Sequence, residues 1–252
     1  MDKDRRFMNL MLIVFSIAFF LSSWLVANVD IGEAETWVSA VFIVVLAVPS
    51  FYFVIKWLGA KKGIILILIF AVLPIVVEAI GISTGIPYGG FHYTDQMGYK
   101  ILGLVPWSVA FAFGPLVFGC LVLAARFTKN ALYSILLSAF FLVVVDLVLD
   151  PAAVLLGIWI WDVPGPYYGI PITNYVGWFI TASIASAIMH LLTAREPYIL
   201  TDIPVNVSSS LLITIAFWTG YCLWTGLLIP LIIGLLLLVL IIWIVTQEKQ
   251  GG

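Results

Sequence analysis

The chain has 252 residues, of which 63% are hydrophobic and only 10% are charged, and its mean hydropathy is +1.19. A soluble domain carries about 25% charged residues, so this composition excludes an ordinary soluble globular protein. The net charge is −2, which argues against a nucleic-acid partner because proteins of that class present clusters of basic side chains.

Apolar runs of about 18 or more residues recur along the chain, and each is long enough to cross a hydrocarbon core as a helix. Lipid gives the backbone no water to bond, so spanning segments are helices or closed barrels. Barrel strands alternate in polarity, and these runs do not. We therefore predict an all-α polytopic membrane helical bundle of about eight transmembrane helices, forming a single integral-membrane domain over residues 1–252. The predicted spans are 8–27, 37–57, 63–81, 105–125, 130–150, 174–193, 207–225 and 228–246.

The basic residues indicate the orientation of this bundle. With the N-terminus in the cytoplasm, all the Lys and Arg residues except Lys100 fall on the cytoplasmic side. Such an asymmetry is typical of helical membrane proteins, whose cytoplasmic loops are rich in Lys and Arg. We therefore expect an integral protein of the plasma membrane with both termini cytoplasmic, whose first apolar run is too long for a signal peptide and remains as a helix. The cytoplasmic set is Lys3, Arg5, Arg6, Lys56, Lys61, Lys62, Arg126, Lys129, Arg195 and Lys249.

Two connections on the opposite, outer side are dense in Gly, Pro and aromatic residues. They read "GISTGIPYGGFHYTDQMGYKILGLVP" at 81–106 and "GIWIWDVPGPYYGIPITN" at 157–174. Gly and Pro fix turns and close backbone approaches, so we predict shaped loops at these positions. A simpler interpretation is a belt of aromatic side chains at the membrane interface.

Three carboxyl side chains lie within the apolar spans, namely Glu78, Asp146 and Asp150. A charge at mid-bilayer costs roughly 2.5–3.5 kcal/mol, and no Lys or Arg lies at comparable depth to pair with it. The four-residue spacing places both aspartates on one helix face, and Pro151 predicts that the helix ends or kinks there. We expect these groups to face the bundle interior and to be hydrogen-bonded, hydrated or protonated.

Polar and aromatic residues of the two outer loops extend this cluster. Asp95 and Asp162 lie on the same side of the membrane, so we expect five acids to converge on one outer-leaflet region. An isolated aspartate near a helix end can instead cap a helix or reach the interface. The candidate catalytic residues are Glu78, Asp146 and Asp150. The candidate substrate-binding residues are Tyr88, His92, Tyr93, Asp95, Trp159, Trp161, Asp162, Tyr167, Tyr168, Asn174 and Trp178.

No metal or cofactor is predicted. His92 and His190 lie toward opposite sides of the membrane, and Cys120 and Cys222 lie inside apolar runs without metal-ligand spacing. Phosphate-binding loops, dinucleotide fingerprints and nucleophile elbows are not found in the sequence.

Carboxyl groups among aromatic rings suit acid–base chemistry on a lipid-soluble polyene. A carboxylic acid protonates a carbon–carbon double bond, and aromatic faces stabilise the resulting cation. A second carboxylate then accepts a proton from an added water, which gives hydration, or from a neighbouring carbon, which gives cyclisation or isomerisation. The residues alone leave these two outcomes open.

The stretches 78–106 and 146–179 resemble two motifs of the carotenoid biosynthesis membrane-protein family, which includes carotenoid hydratases of the archaeal bisanhydrobacterioruberin type. The specific elements are Asp-x-x-x-Asp-Pro at 146–151 and Tyr-Tyr-Gly-Ile-Pro-x-x-Asn at 167–174. The resemblance implies a cofactor-independent hydro-lyase that adds water to the terminal isoprenoid double bonds of a long acyclic carotenoid. It also implies partners in the membrane, namely the carotenoid and other enzymes of its pathway.

Two further classes of protein were considered. A proton-coupled transporter would also place acids in the membrane, but such proteins usually show internal repeats and broken helices near the midplane. Here the only echo is Gly-Ile-Pro, at 85–87 and 169–171. An intramembrane aspartyl protease needs its two aspartates on different helices, whereas Asp146 and Asp150 share one.

Overall fold

The computed structural model describes residues 2–30, 32, 35–193 and 200–247. Within these residues the chain forms eight α-helices, joined on one side of the bundle by two structured loops. Seven helical segments are long and apolar enough to cross a membrane, which confirms the predicted all-α membrane bundle and makes the chain an integral membrane protein. The helices are α1 (Asp2–Asn28), α2 (Glu35–Leu58), α3 (Ala60–Thr84), α4 (Val109–Ala125), α5 (Ala131–Leu155), α6 (Ile172–Leu192), α7 (Ser209–Thr225) and α8 (Leu228–Gln247).

Helix α4 is shorter than the predicted span at 105–125. The first two residues of the predicted span, Val105–Pro106, instead form a short strand paired with Lys100–Ile101. The helix begins at Val109. The remaining 17 residues lie at the short end of what crosses a bilayer. Twelve of them are buried, because α4 packs against α2, α3, α5 and α7 at the centre of the bundle.

The sequence predicted that helix α5 ends or kinks at Pro151. In the structure the helix does not end there but continues to Leu155. A proline inside a helix has no N–H, so the carbonyl four residues earlier loses its helical partner. That carbonyl belongs to Leu147, and the hydroxyl of Tyr167 donates a hydrogen bond to it at 2.9 Å. The outer loop thereby supplies the hydrogen bond that Pro151 removes, and α5 runs on.

We expect Tyr167→Phe to lower the stability of the folded protein. The substitution leaves the Leu147 carbonyl without its donor, and an unpaired buried backbone group costs about 1–3 kcal/mol. Thermal unfolding in detergent measures the effect, and Tyr168→Phe is the matched control on the neighbouring residue. An unfolding midpoint of Tyr167→Phe equal to that of the control would contradict this role for the hydroxyl.

The two outer loops are joined by a short antiparallel sheet. Strand β1 (Phe91–Tyr93) pairs with β4 (Trp159–Trp161), while β2 (Lys100–Ile101) and β3 (Val105–Pro106) form a second pair within the first loop. In β1 the outer two side chains are buried and His92 between them is exposed, as strand alternation requires. The loops are therefore shaped, as predicted, and they cap one end of the bundle.

Tyr88 fastens this cap to the helices. Its ring lies between two glycines, Gly81 on α3 and Gly177 on α6, and a Cβ at either position would lie within 2.7 Å of the ring. Its hydroxyl shares a hydrogen bond of 2.7 Å with Thr181. Only 1% of Tyr88 is exposed, so the two glycines make the space that a large side chain occupies.

Candidate active site

A cavity of about 250 Å³ lies beneath the cap, within the loop-side half of the bundle. All three intramembrane acids line it: Glu78 from α3, and Asp146 and Asp150 from α5. Each is buried, and the two aspartates share one face of α5, as their spacing predicted. Among the described residues no basic side chain lines the cavity, so the acids have hydrogen-bond donors but no ion-pair partner there.

Glu78 is held by the cap. The hydroxyl of Tyr93, in β1, donates a hydrogen bond of 2.6 Å to Glu78 Oε2. Burial, together with the neighbouring Glu78 carboxyl, raises the pKa of the Tyr93 phenol well above its usual range. The phenol therefore keeps its proton and serves as a donor to the carboxyl oxygen.

Asp150 is held from the opposite side by α6. The side-chain Nδ2 of Asn174 donates to Asp150 Oδ2 at 2.5 Å, and both residues are buried. An amide nitrogen only donates, so the Asp150 oxygen must accept. This bond favours the ionised carboxylate and fixes its direction in the cavity.

Asp146 differs from the other two acids. Its Oδ2 is buried and has no hydrogen-bond partner within the described part of the chain. The indole nitrogens of Trp159 and Trp161 and the hydroxyl of Tyr175 are also buried without such a partner. An unpartnered carboxylate is far more costly to bury than a neutral carboxylic acid, so the surroundings of Asp146 favour the neutral form.

Aromatic rings form the rest of the cavity wall near the acids. The ring centroids of Tyr88 and Trp178 lie 4.9 Å apart, and those of Phe91 and Trp161 lie 5.1 Å apart. Such faces stabilise a cation through their quadrupoles. The aromatic lining residues near the acids are Tyr88, Phe91, Tyr93, Phe113, Trp159, Trp161 and Trp178.

Two of these rings were not among the sequence candidates. The position of Phe91 could have been predicted from the alternation of side chains along a strand. It lies two residues before Tyr93 in β1 and therefore on the same face of the strand. Phe113 lies in an apolar helix among many similar residues, and nothing in the sequence distinguishes it.

The five other sequence candidates lie outside the cavity. Asp95 is almost fully exposed and bonds Lys100 at 2.8 Å, which lowers the pKa of its carboxyl. His92 and Asp162 are more than half exposed and lie 3.5 Å apart. The expected convergence of five acids is thus corrected to three, because Asp95 lies in an exposed turn of the cap and Asp162 lies beyond the end of β4. The remaining two are Tyr167, whose hydroxyl bonds the α5 backbone, and Tyr168, whose ring packs on that of Tyr167.

No metal centre is formed by the side chains whose positions are described: there is no group of three or more His, Cys, Asp or Glu residues arranged to hold a metal ion. Cys120 and Cys222 are free and buried. The side chains that line the cavity offer carboxyl groups, amide and phenol donors, and aromatic faces.

Comparison with known proteins identifies the family. A family model described as carotenoid biosynthesis protein matches residues 34–241, which include all the residues that line the cavity except Val26. The chain belongs to the carotenoid biosynthesis protein family. The membership suggested by the two loop motifs is thereby confirmed.

One relative of this carotenoid biosynthesis protein is the bisanhydrobacterioruberin hydratase of Haloarcula japonica. The two chains are 39% identical over 113 residues, which is 43% of this chain and 38% of the relative. The aligned region thus spans well under half of the relative's length. No solved structure matches the chain.

Proposed function

We propose that this member of the carotenoid biosynthesis family is a hydratase that adds water to terminal isoprenoid double bonds of a long acyclic carotenoid of the bacterioruberin type. The observation that carries the proposal is the unequal bonding of the three buried acids within one aromatic cavity. Asp150 and Glu78 each accept a hydrogen bond, and Asp146 Oδ2 has no hydrogen-bond partner among the residues that the structure describes. The activity for which the Haloarcula japonica relative is named supports the same chemistry.

Asp146 is the proton donor in this mechanism. Its unpartnered side chain holds the proton in the resting protein and transfers it to the less substituted carbon of the terminal double bond. The alkene electron pair forms the new C–H bond, and a tertiary cation remains on the adjacent carbon. The faces of Tyr88, Trp161 and Trp178 stabilise this cation, and the Glu78 carboxyl group lines the same cavity.

Asp150 is the base. Asn174 holds its carboxylate in one orientation, so that a water molecule beside it is deprotonated as the water oxygen bonds to the cation. The tertiary alcohol forms, and Asp150 carries the water proton. Asp146 lies one turn away on the same helix face, and the proton returns to it, which restores both groups to their starting states.

The origin of the product oxygen tests this proposal. Purified protein converting an acyclic carotenoid in oxygen-18 water under nitrogen is expected to give hydroxyl groups that carry the label. The same reaction is expected to proceed without loss in the presence of metal chelators and after removal of nicotinamide nucleotides. An unlabelled hydroxyl or a strict need for dioxygen would overturn the hydratase, and a ring-closed product without added oxygen would favour a cyclase.

The orientation of the bundle in the plasma membrane is also proposed, with the cap outside and both termini cytoplasmic. Lys100 lies on the cap side, whereas Lys56, Lys61, Lys62, Arg126 and Lys129 lie at the opposite ends of the helices. Arg195 and Lys249, which the sequence also assigned to the cytoplasm, lie outside the described residues.

Cysteine labelling in intact cells measures this orientation. Both native cysteines are buried, so we expect little labelling of the wild-type protein. A membrane-impermeant maleimide is expected to label Leu102→Cys, at an exposed position in the cap, directly. It is expected to label Lys61→Cys, in the first turn of α3, only after the membrane is permeabilised. The reverse pattern would invert the proposed topology.

A further inference from the structure

We propose that the cavity opens sideways into the lipid between α1 and α2, and that the apolar polyene chain of the substrate enters and lies in this opening while its end group reaches the acids. The inference rests on the proposed function and adds a binding site for the part of the substrate that does not react. The opening, here called the portal, is lined by Val26 of α1 and by Val38, Ser39 and Phe42 of α2.

The portal joins the buried acids to the lipid-facing surface. Val26 and Val38 are 44% and 52% exposed, yet they line the same cavity as Asp146, which is 7% exposed. Helix α1 packs chiefly against α7, whereas α2 packs against α3, α4 and α7. The two helices thus share α7 as a support, and the portal lies where their loop-side ends face each other.

The depth of the portal matches that of the acids. Val26 lies near the end of α1 and Val38 near the start of α2, and both positions are on the cap side of the bundle. Glu78 and Asp150 lie near the cap-side ends of α3 and α5. A chain that enters between α1 and α2 therefore meets the acids without crossing the bilayer midplane.

The size of the cavity requires such an opening. Its volume of about 250 Å³ is below the roughly 300–1,000 Å³ of sites that enclose a drug-sized ligand. A long acyclic carotenoid is larger than such a ligand, so only its end group can be enclosed. The rest of the polyene must extend out of the cavity, and among the residues that line it only Val26 and Val38 are exposed.

Phe42 is the aromatic residue of the portal and packs against both α1 and α7. Its ring centroid lies 5.7 Å from that of Phe19 on α1 and 4.6 Å from that of Phe217 on α7. The side chain is half-buried and lines the cavity wall. A flat ring at this point packs against a polyene on one face and keeps lipid chains apart from the acids.

A tryptophan at the portal tests the inference. Val38→Trp is expected to lower kcat/KM for a long acyclic carotenoid about tenfold or more by obstructing entry. The same variant is expected to slow a short isoprenoid with the same terminal double bond much less, because that substrate is too short to occupy the portal while its end group reaches the acids. Val41→Trp is the matched control, because Val41 is equally exposed on α2 but does not line the cavity.

The outcomes distinguish failure of the portal proposal from failure of the hydratase proposal. If Val38→Trp and Val41→Trp behave alike on the long substrate, or if Val38→Trp slows the short substrate as much as the long one, the portal is wrong and the hydratase stands. If the wild-type protein hydrates neither substrate, the proposed function fails. If thermal unfolding shows that Val38→Trp does not fold, Val26→Trp with Leu25→Trp as its control makes the same test from α1.

Discussion

Replacing Asp146 by asparagine is expected to remove nearly all hydration of the carotenoid while the protein remains inserted and folded. An amide cannot donate a proton to an alkene, and general acid catalysis contributes about 10²–10⁴-fold to a rate. The amide is uncharged and close in size to the protonated carboxyl group that it replaces, so no large loss of stability should accompany the loss of activity. Initial rates from pigment chromatography, with thermal unfolding measured on the same preparations, check both statements.

The other two acids extend this test. Asp150→Asn removes the proposed base, and Glu78→Gln removes the carboxyl group that Tyr93 holds in the cavity, so at least two of the three variants should lose most activity. Asp95→Asn and Asp162→Asn are the matched controls, since both acids are exposed and lie outside the cavity. Near-normal turnover in all three cavity variants would place the chemistry elsewhere in the protein.

Adding one methyl group at Gly177 is expected to disrupt the cap. A Cβ there would lie 2.6 Å from the Tyr88 ring and 3.1 Å from the backbone of Pro87. Overpacking of this kind typically costs about 1–3 kcal/mol, and here the displaced ring is also part of the cavity wall. Gly177→Ala should therefore lower both the unfolding temperature and the rate of hydration.

Two comparisons make the Gly177 result specific. Gly81→Ala approaches the same ring from α3, so it should produce a similar loss. Val176→Ala changes the adjacent, lipid-facing residue of α6 and should leave activity intact. A Gly177→Ala protein with wild-type stability and activity would show that Tyr88 can move without consequence.

The sequence was sufficient to predict the helical bundle and the position of Asp146 and Asp150 on one face. Both follow from local rules, namely the length of apolar runs and the periodicity of a helix. It was harder to predict from the sequence which of the acids line the cavity. Asp95 and Asp162 look as suitable as Glu78 in the sequence, and only the alignment of their loops, which are far apart along the chain, turns them away from the site.

The continuation of α5 beyond Pro151 also could not be predicted from the sequence. Local sequence predicts an end or a kink, because it shows the missing N–H but not the donor that replaces it. That donor is 20 residues away in the chain, on a loop whose course depends on the packing of Tyr88 and on the pairing of β1 with β4. Sequence patterns of short range do not contain this information.

The hydrogen bond from Tyr167 to Leu147 makes the free energies of two distant substitutions interdependent. Pro151 creates the unpaired carbonyl and Tyr167 satisfies it, so neither residue has its full effect without the other. In a Pro151→Ala background the helix can bond that carbonyl itself, and Tyr167→Phe should then be nearly silent. A double-mutant cycle would therefore give a coupling energy between the two positions, and substitutions at one should relax the constraint on the other during evolution.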